Sequence, residues 1–232
     1  MTLRLKGTDY HAVVFDCDGV LVDSEHAWGL AEAALCDAFD VEYTAAVASQ
    51  TTGVGLKDAV SVLLAAAQHP VDLSYAYQLM RDLAEAHVPP ATHPIPDAQR
   101  VVQLLGSLLP IGVASNSEQP LLDRILAKIG LADEFHAVVS ASEVDAPKPA
   151  PDVYVLSAER LEVHPHHTIV VEDSHTGVAA ARSAGCYVIG FGIDGPLVDW
   201  SVPSHLALLD LLLPAEDPAL PSERHSHARL IR

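Results

Sequence analysis

Cysteine is scarce in this chain: Cys17, Cys36 and Cys186 are the three, widely spaced among 232 residues. A chain of this length buries enough apolar surface to hold together without covalent staples, so a disulfide framework is excluded and a reducing, cytoplasmic setting is expected. Basic residues are scarce too. Thirteen Lys and Arg face 31 Asp and Glu, a formal charge of −18, which excludes a general nucleic-acid binder, because a phosphate backbone is held by clustered cations. The same charge repels a small phosphorylated molecule, so any phosphate site must bring its own compensation from a metal, a lysine or backbone N–H groups. Long apolar runs are absent as well. Half the residues are hydrophobic, but Asp, Gly and Pro break them well short of the roughly 20 residues that span a bilayer, and no membrane partner is expected. The N-terminal MTLRLKGTDYHAVVFD enters a strand-like run without an apolar leader or a small-residue cleavage site, so export is not expected. The expected oligomeric state is a monomer.

What is present is a change of periodicity. Residues 11–15, HAVVF, form a short β-branched run that ends at Asp16-Cys17-Asp18-Gly19, as a buried parallel strand entering a loop does. From Glu25 to about His87, Ala- and Leu-rich stretches repeat at helical spacing, and the Pro-rich VPPATHPIPD then reads as a linker. Beyond it, helices near 97–108, 119–129, 151–160 and 175–184 alternate with strands near 111–114, 136–139, 168–171 and 187–190. Such alternation predicts an α/β fold, a doubly wound parallel sheet with helices on both faces. A small helical cap is inserted after the first strand. The expected division is core 1–22, cap 23–92, core 93–213, and a tail 214–232, rich in Pro, charge and Ser, that is partly disordered.

Ligands of open parallel sheets bind beyond the carboxyl ends of the strands. Periodicity alone gathers Asp16, Asp18, Ser115, Asn116, Glu172 and Asp173 at that edge. Taken singly, each has a plain alternative: an acidic turn at Asp18-Gly19, a helix cap at Ser115-Asn116-Ser117, a cap at Glu172-Asp173-Ser174, and a solvated lysine at Lys148 between Pro147 and Pro149.

Taken in order, DCDGVLVDSE (Asp16 to Glu25), ASNS (Ala114 to Ser117), KPAPDVY (Lys148 to Tyr154) and VVEDSHTG (Val170 to Gly177) resemble the signatures of the haloacid dehalogenase superfamily. The likeness is to the subgroup of beta-phosphoglucomutases and sugar-phosphate phosphatases. The resemblance implies a phosphoryl-transfer enzyme with Asp16 as nucleophile and Asp18 as general acid and base. It gives Ser115, with Asn116 beside it, the transferring phosphoryl oxygens, and Lys148 the phosphoryl charge. It implies Mg²⁺ as cofactor, held by the Asp16 carboxylate, the Asp18 carbonyl and Asp173, with Glu172 binding directly or through water. The implied partner is a small phosphorylated metabolite, a sugar phosphate above all.

The helical insertion matches the family's cap, which closes over the site and supplies specificity. Within it TTGVGLKDAV (Thr51 to Val60) resembles the substrate-contacting loop, with Thr52, Gly53, Val54 and Lys57 as candidates; a plain helix start with glycine punctuation is the alternative. Beta-phosphoglucomutases carry a histidine and an arginine where this chain has Trp28 and Leu56, so hydrolysis is expected over mutase activity. Asp18 argues against a true dehalogenase. His164, His166, His167 and His175 lack the cysteine partners of a zinc site and are expected at the surface, as are His225 and His227. Trp28, Tyr75 and Tyr77 are expected to pack, and Cys17 to fill space between the aspartates.

Overall fold

A computed structural model gives the fold and describes residues 1–214. The chain opens with an antiparallel hairpin of β1 (Leu3–Leu5) and β2 (Thr8–Tyr10), then enters β3 (Ala12–Phe15). After the short β4 (Val22–Asp23) come α1 (Glu25–Ala38), α2 (Ala45–Ala48), α3 (Leu56–Leu63) and α4 (Leu73–Ala91), followed by β5 (His93–Pro94). The next elements alternate: α5 (Ala98–Gly106), β6 (Ile111–Ser115), α6 (Gln119–Lys128), β7 (Ala137–Ser140), α7 (Asp152–Arg160), β8 (Thr168–Glu172), α8 (His175–Ala184) and β9 (Tyr187–Phe191). β10 (Trp200–Val202) and α9 (His205–Leu212) follow. The hairpin, β10 and α9 are additions to the expected series. The disordered tail expected from 214 lies, apart from Pro214, outside the described residues.

Six strands pair in the order β10-β9-β8-β3-β6-β7, every pair parallel. Both faces are covered, which is why the strands read as unbroken apolar runs rather than alternating ones. The pleat divides them. Val13, Phe15, Ile111, Val113, Ile169 and Val171 pack on one face with α5, α6 and α9, while Val14, Ala114, Val139, Val170 and Val188 pack on the other with α7 and α8. β3 sits between β8 and β6, where the winding changes direction, and the crevice beyond the carboxyl ends of these three strands is the place such sheets reserve for ligands.

The four helices between β4 and β5 have a separate apolar centre, with Leu35, Val60, Leu63 and Met80 buried between α1, α3 and α4. The segment expected to be a linker is ordered. α4 continues through Pro89 and Pro90, and Thr92 closes it with its N–H (3.0 Å) and hydroxyl (2.7 Å) on the Val88 carbonyl. Two prolines in the last turn remove two backbone bonds, a loss offset by burying Val88 and Pro89. His93 and Pro94 then pair with Asp23 and Val22, so the two chain crossings between sheet and helices form one antiparallel ribbon. Among the described residues no helix is long and apolar enough to cross a membrane.

Candidate active site

The register explains how the polar residues meet. Phe15 pairs with Val171 on one side and Val113 on the other, so the residues that follow, Asp16, Glu172 and Ala114, stand at one level of the sheet edge. The Asp16 N–H donates to the Val171 carbonyl at 2.9 Å, fixing the backbone from which its carboxylate projects. Lys148 reaches the same level from the loop before α7. Its ammonium donates to Asp16 Oδ1 at 2.6 Å, Glu172 Oε1 at 2.7 Å and the Ala114 carbonyl at 3.0 Å, so each of its three protons has an acceptor.

Glu172 is fully buried and fully occupied: its other donors are the Tyr154 hydroxyl at 2.7 Å and the Ser174 N–H and hydroxyl, each at 3.0 Å. Asp173 lies against the Asp18-Gly19 turn. Gly19, at φ 77°, has no side chain because a Cβ there would overlap the Asp173 carboxylate, and a Cβ at Gly177 in α8 would likewise overlap Glu172. Asp16, Glu172 and Asp173 each place one carboxylate oxygen within 4.8 Å of the other two, the only such group of His, Cys, Asp or Glu among the described residues.

Four carboxylates here, counting Asp18, face one ammonium, and the electrostatics show the excess. Burial pushes the Asp16 carboxyl well above the usual range; Lys148 opposes that, while Glu172, Asp173 and Asp18 add to it. Burial, then Glu172, drive Asp173 up to about 7. Glu172 goes the other way, since Lys148, Ser174 and Tyr154 outweigh its burial. Burial opposes the charge on Lys148 as well, but Asp16 and Glu172 hold it more firmly protonated than a free lysine. A clustered, oxygen-only, under-compensated set of this kind fits a hard divalent cation.

Asp18 points from the same loop toward the helical layer. Its Oδ1 accepts from Ser24 Oγ at 2.5 Å and Trp28 Nε1 at 3.0 Å, and its Oδ2 from Ser117 Oγ at 3.2 Å and Ser115 Oγ at 3.5 Å. Trp28, expected only to pack, therefore holds Asp18 from α1. Ser24 and Ser117 were also missed as contacts, although both lie inside the quoted motifs; no sequence signal ties Trp28 to an aspartate ten residues earlier. Cys17 packs in the core between the aspartates.

Asn116 bridges the layers through backbone groups. Its Nδ2 donates to the carbonyls of Gly53 and Lys148, each at 3.2 Å, and its Oδ1 accepts the Lys148 N–H at 2.9 Å. Thr52, Gly53, Val54 and Leu56 line the cleft, whereas Lys57 lies 5.4 Å over the ring of Tyr77 and away from it. Tyr77 in turn donates its hydroxyl to Glu118. His164, His166, His167 and His175 are exposed; His225 and His227 fall outside the described residues. The cleft encloses about 1360 Å³, floored by Asp16, Ser115, Lys148 and Asp173 and roofed by α1, α4 and the 43–56 segment.

These four motifs on this sheet edge agree with a direct comparison: a model of haloacid dehalogenase-like hydrolases matches residues 10–185. The chain belongs to that family. This haloacid dehalogenase-like hydrolase is 30% identical over 179 residues to the fructose-1-phosphate phosphatase YqaB of Escherichia coli K12, covering 76% of this chain and 93% of the relative. It is 29% identical to the phosphoglycolate phosphatase of Escherichia coli O157:H7, covering 89% and 93%. Among solved structures, CbbY from Rhodobacter sphaeroides in complex with phosphate shares the fold, with a TM-score of 0.74 at 20% identity over 86% of this chain and 96% of that one. As a haloacid dehalogenase-like hydrolase with relatives named phosphatases, the chain is an enzyme of the phosphatase kind.

Proposed function

We propose that this enzyme hydrolyses a small phosphorylated metabolite, a sugar phosphate above all, through a phospho-Asp16 intermediate and with Mg²⁺ as cofactor. The observation that carries the reading is Asp16 itself: one carboxylate oxygen is held by Lys148 at 2.6 Å while the residue borders the cleft, leaving the second oxygen for phosphorus. In the first step that oxygen bonds to phosphorus as the bond to the leaving oxygen breaks, and Asp18 donates a proton to the leaving alcohol. In the second, Asp18 takes a proton from water, which attacks the phosphoryl group, releases phosphate and restores Asp16. Ser115 and Lys148 supply a donor and a charge to the phosphoryl oxygens, the preorganised kind of stabilisation that outweighs other effects in such reactions. Lys148 is thus the local compensation that the net charge demands.

The Asp16 carboxylate, the Asp18 carbonyl and Asp173 would hold Mg²⁺, with Glu172 behind them, and the ion would supply charge neutralisation as one anion attacks another. The relatives' names point to phosphomonoesters with small leaving groups. Helices α1 to α4, entered and left through the β4–β5 ribbon, serve as the cap over residues 23–92, with core 1–22 and 93–213, and Thr52 and Gly53 face the substrate from it. Buried free cysteines suit a cytoplasmic protein, which we take to act as a monomer.

A screen of phosphorylated metabolites with Mg²⁺, read by phosphate release, tests the proposal. Turnover is expected on at least one sugar phosphate, lost with Asp16→Asn and lost with a chelator. Turnover that survives Asp16→Asn would overturn the nucleophile, and conversion of β-glucose 1-phosphate to glucose 6-phosphate without free phosphate would replace the hydrolase by a mutase.

A further inference from the structure

Glu32 has no place in the chemistry above. It is a buried acid, 7% exposed, on the cleft-facing side of α1, one turn beyond Trp28. Residues four apart share a helix face and stand about 6 Å apart along the axis. Trp28 touches Asp18, the residue beside the leaving oxygen, so Glu32 borders the space one turn farther from phosphorus, where the rest of the leaving group must lie. The Tyr43 hydroxyl donates to its Oε2 at 2.6 Å. Gly29 on α1 lies beside that hydroxyl, at a distance where a Cβ would make ordinary contact, 3.5 Å from it. Glu32 makes no ion pair with any described cation, and the lysine and arginine that line the cleft are both engaged: Lys148 with Asp16 and Glu172, Arg81 with Glu118 at 2.5 Å. The cleft wall thus offers a carboxylate anchored by a neutral donor, and no free Lys or Arg among the described residues.

A leaving group entering this space meets hydrogen-bond acceptance and negative charge. Hydroxyls satisfy the first, and a carboxylate suffers from the second, because the lining Lys148 and Arg81 already face carboxylates of the protein. Burial raises the Glu32 carboxyl, against the Tyr43 and Thr51 hydroxyls that favour its charge; hydroxyl donors from a substrate act in the same direction as those two. We propose that Glu32, anchored by Tyr43, determines specificity by accepting hydrogen bonds from an uncharged, polyhydroxylated leaving group and rejecting leaving groups that carry a carboxylate. The inference rests on the phosphatase reading and adds to it the property of the substrate that is read.

The test uses the full chain with Mg²⁺ and three probes: fructose 1-phosphate, 2-phosphoglycolate and p-nitrophenyl phosphate, whose leaving group has neither sugar hydroxyls nor a carboxylate. The unaltered enzyme is expected to favour fructose 1-phosphate over 2-phosphoglycolate in kcat/KM by at least about 10-fold. A hydrogen bond to a charged group and the repulsion it replaces correspond to roughly 10- to 100-fold, so Glu32→Gln is expected to lower that ratio by this factor. Tyr43→Phe, which frees the carboxylate from its anchor, is expected to move the ratio the same way by a smaller factor, and it decides the matter if Glu32→Gln does not fold. A preference of the unaltered enzyme for 2-phosphoglycolate overturns the proposal, as does an equal loss on all three probes, which is what a merely structural acid would produce. Turnover of p-nitrophenyl phosphate with no preference for the sugar phosphate defeats this inference alone; no turnover of any probe defeats the phosphatase reading with it.

Discussion

His205 makes the fold sensitive to acid in a way that can be separated from the active site. It is the first residue of α9, fully buried, with its ring 4.7 Å from that of Phe191. Neither ring nitrogen meets a hydrogen-bond partner of normal geometry, although the Pro96 carbonyl and the charge of Asp97 favour the proton somewhat. Burial dominates and lowers its pKa to about 4 from an ordinary 6.5. Between those values the unfolded chain binds a proton that the folded chain refuses, so stability is fully present above pH 6.5 and is lost as pH falls toward 4. At pH 5 the loss amounts to about 2 kcal/mol, approaching about 3.4 kcal/mol below pH 4. Urea unfolding at pH 8 and pH 5, with chelator present, gives the pH-dependent loss for the unaltered chain and for His205→Leu. Carboxyls such as Asp16 and Asp173 titrate in both proteins and cancel in the difference. The unaltered chain is expected to lose about 2 kcal/mol more than the variant; equal losses would refute the reasoning.

Two further substitutions probe the site. Lys148→Met leaves buried Asp16 and Glu172 without their cation, and breaking such a pair costs about 3–5 kcal/mol; a fall in Tm of roughly 10 °C in the metal-free protein is expected, and an unchanged melting curve would contradict the bridge. Trp28→Phe removes the indole N–H from Asp18 but keeps the ring packed: kcat on p-nitrophenyl phosphate should fall about tenfold with a displaced pH–rate profile, and an unmoved profile would show that Trp28 only packs.

The central sheet was legible because a parallel strand covered on both faces must be apolar throughout, and HAVVF, TIVVE and YVIGF are so bounded by polar residues that their carboxyl ends are marked in the sequence. Marking those ends was enough to bring Asp16, Ser115 and Glu172 together. The hairpin at residues 3–10 was obscured because Arg4, Lys6 and Asp9 interrupt it, and β10 because Trp200 and Ser201 are exposed at the sheet edge. VPPATHPIPD misled for a chemical reason: proline bars a helix interior but not a last turn, and the helical part of the segment is that last turn. Within the site, motif residues announced themselves by proximity in sequence. Trp28 and Glu32 did not, since a helix face turned toward a cleft looks in sequence like one turned toward a core.

Gly19 and Gly177 make the acid cluster as much a matter of missing atoms as of present ones, because a methyl group at either would occupy the volume of an Asp173 or Glu172 carboxylate. A glycine codon becomes an alanine codon by one base change, the mildest of replacements on any chemical scale. Here it would evict a carboxylate from the centre of the enzyme. A variant survey that weighed substitutions by chemical similarity would pass over both.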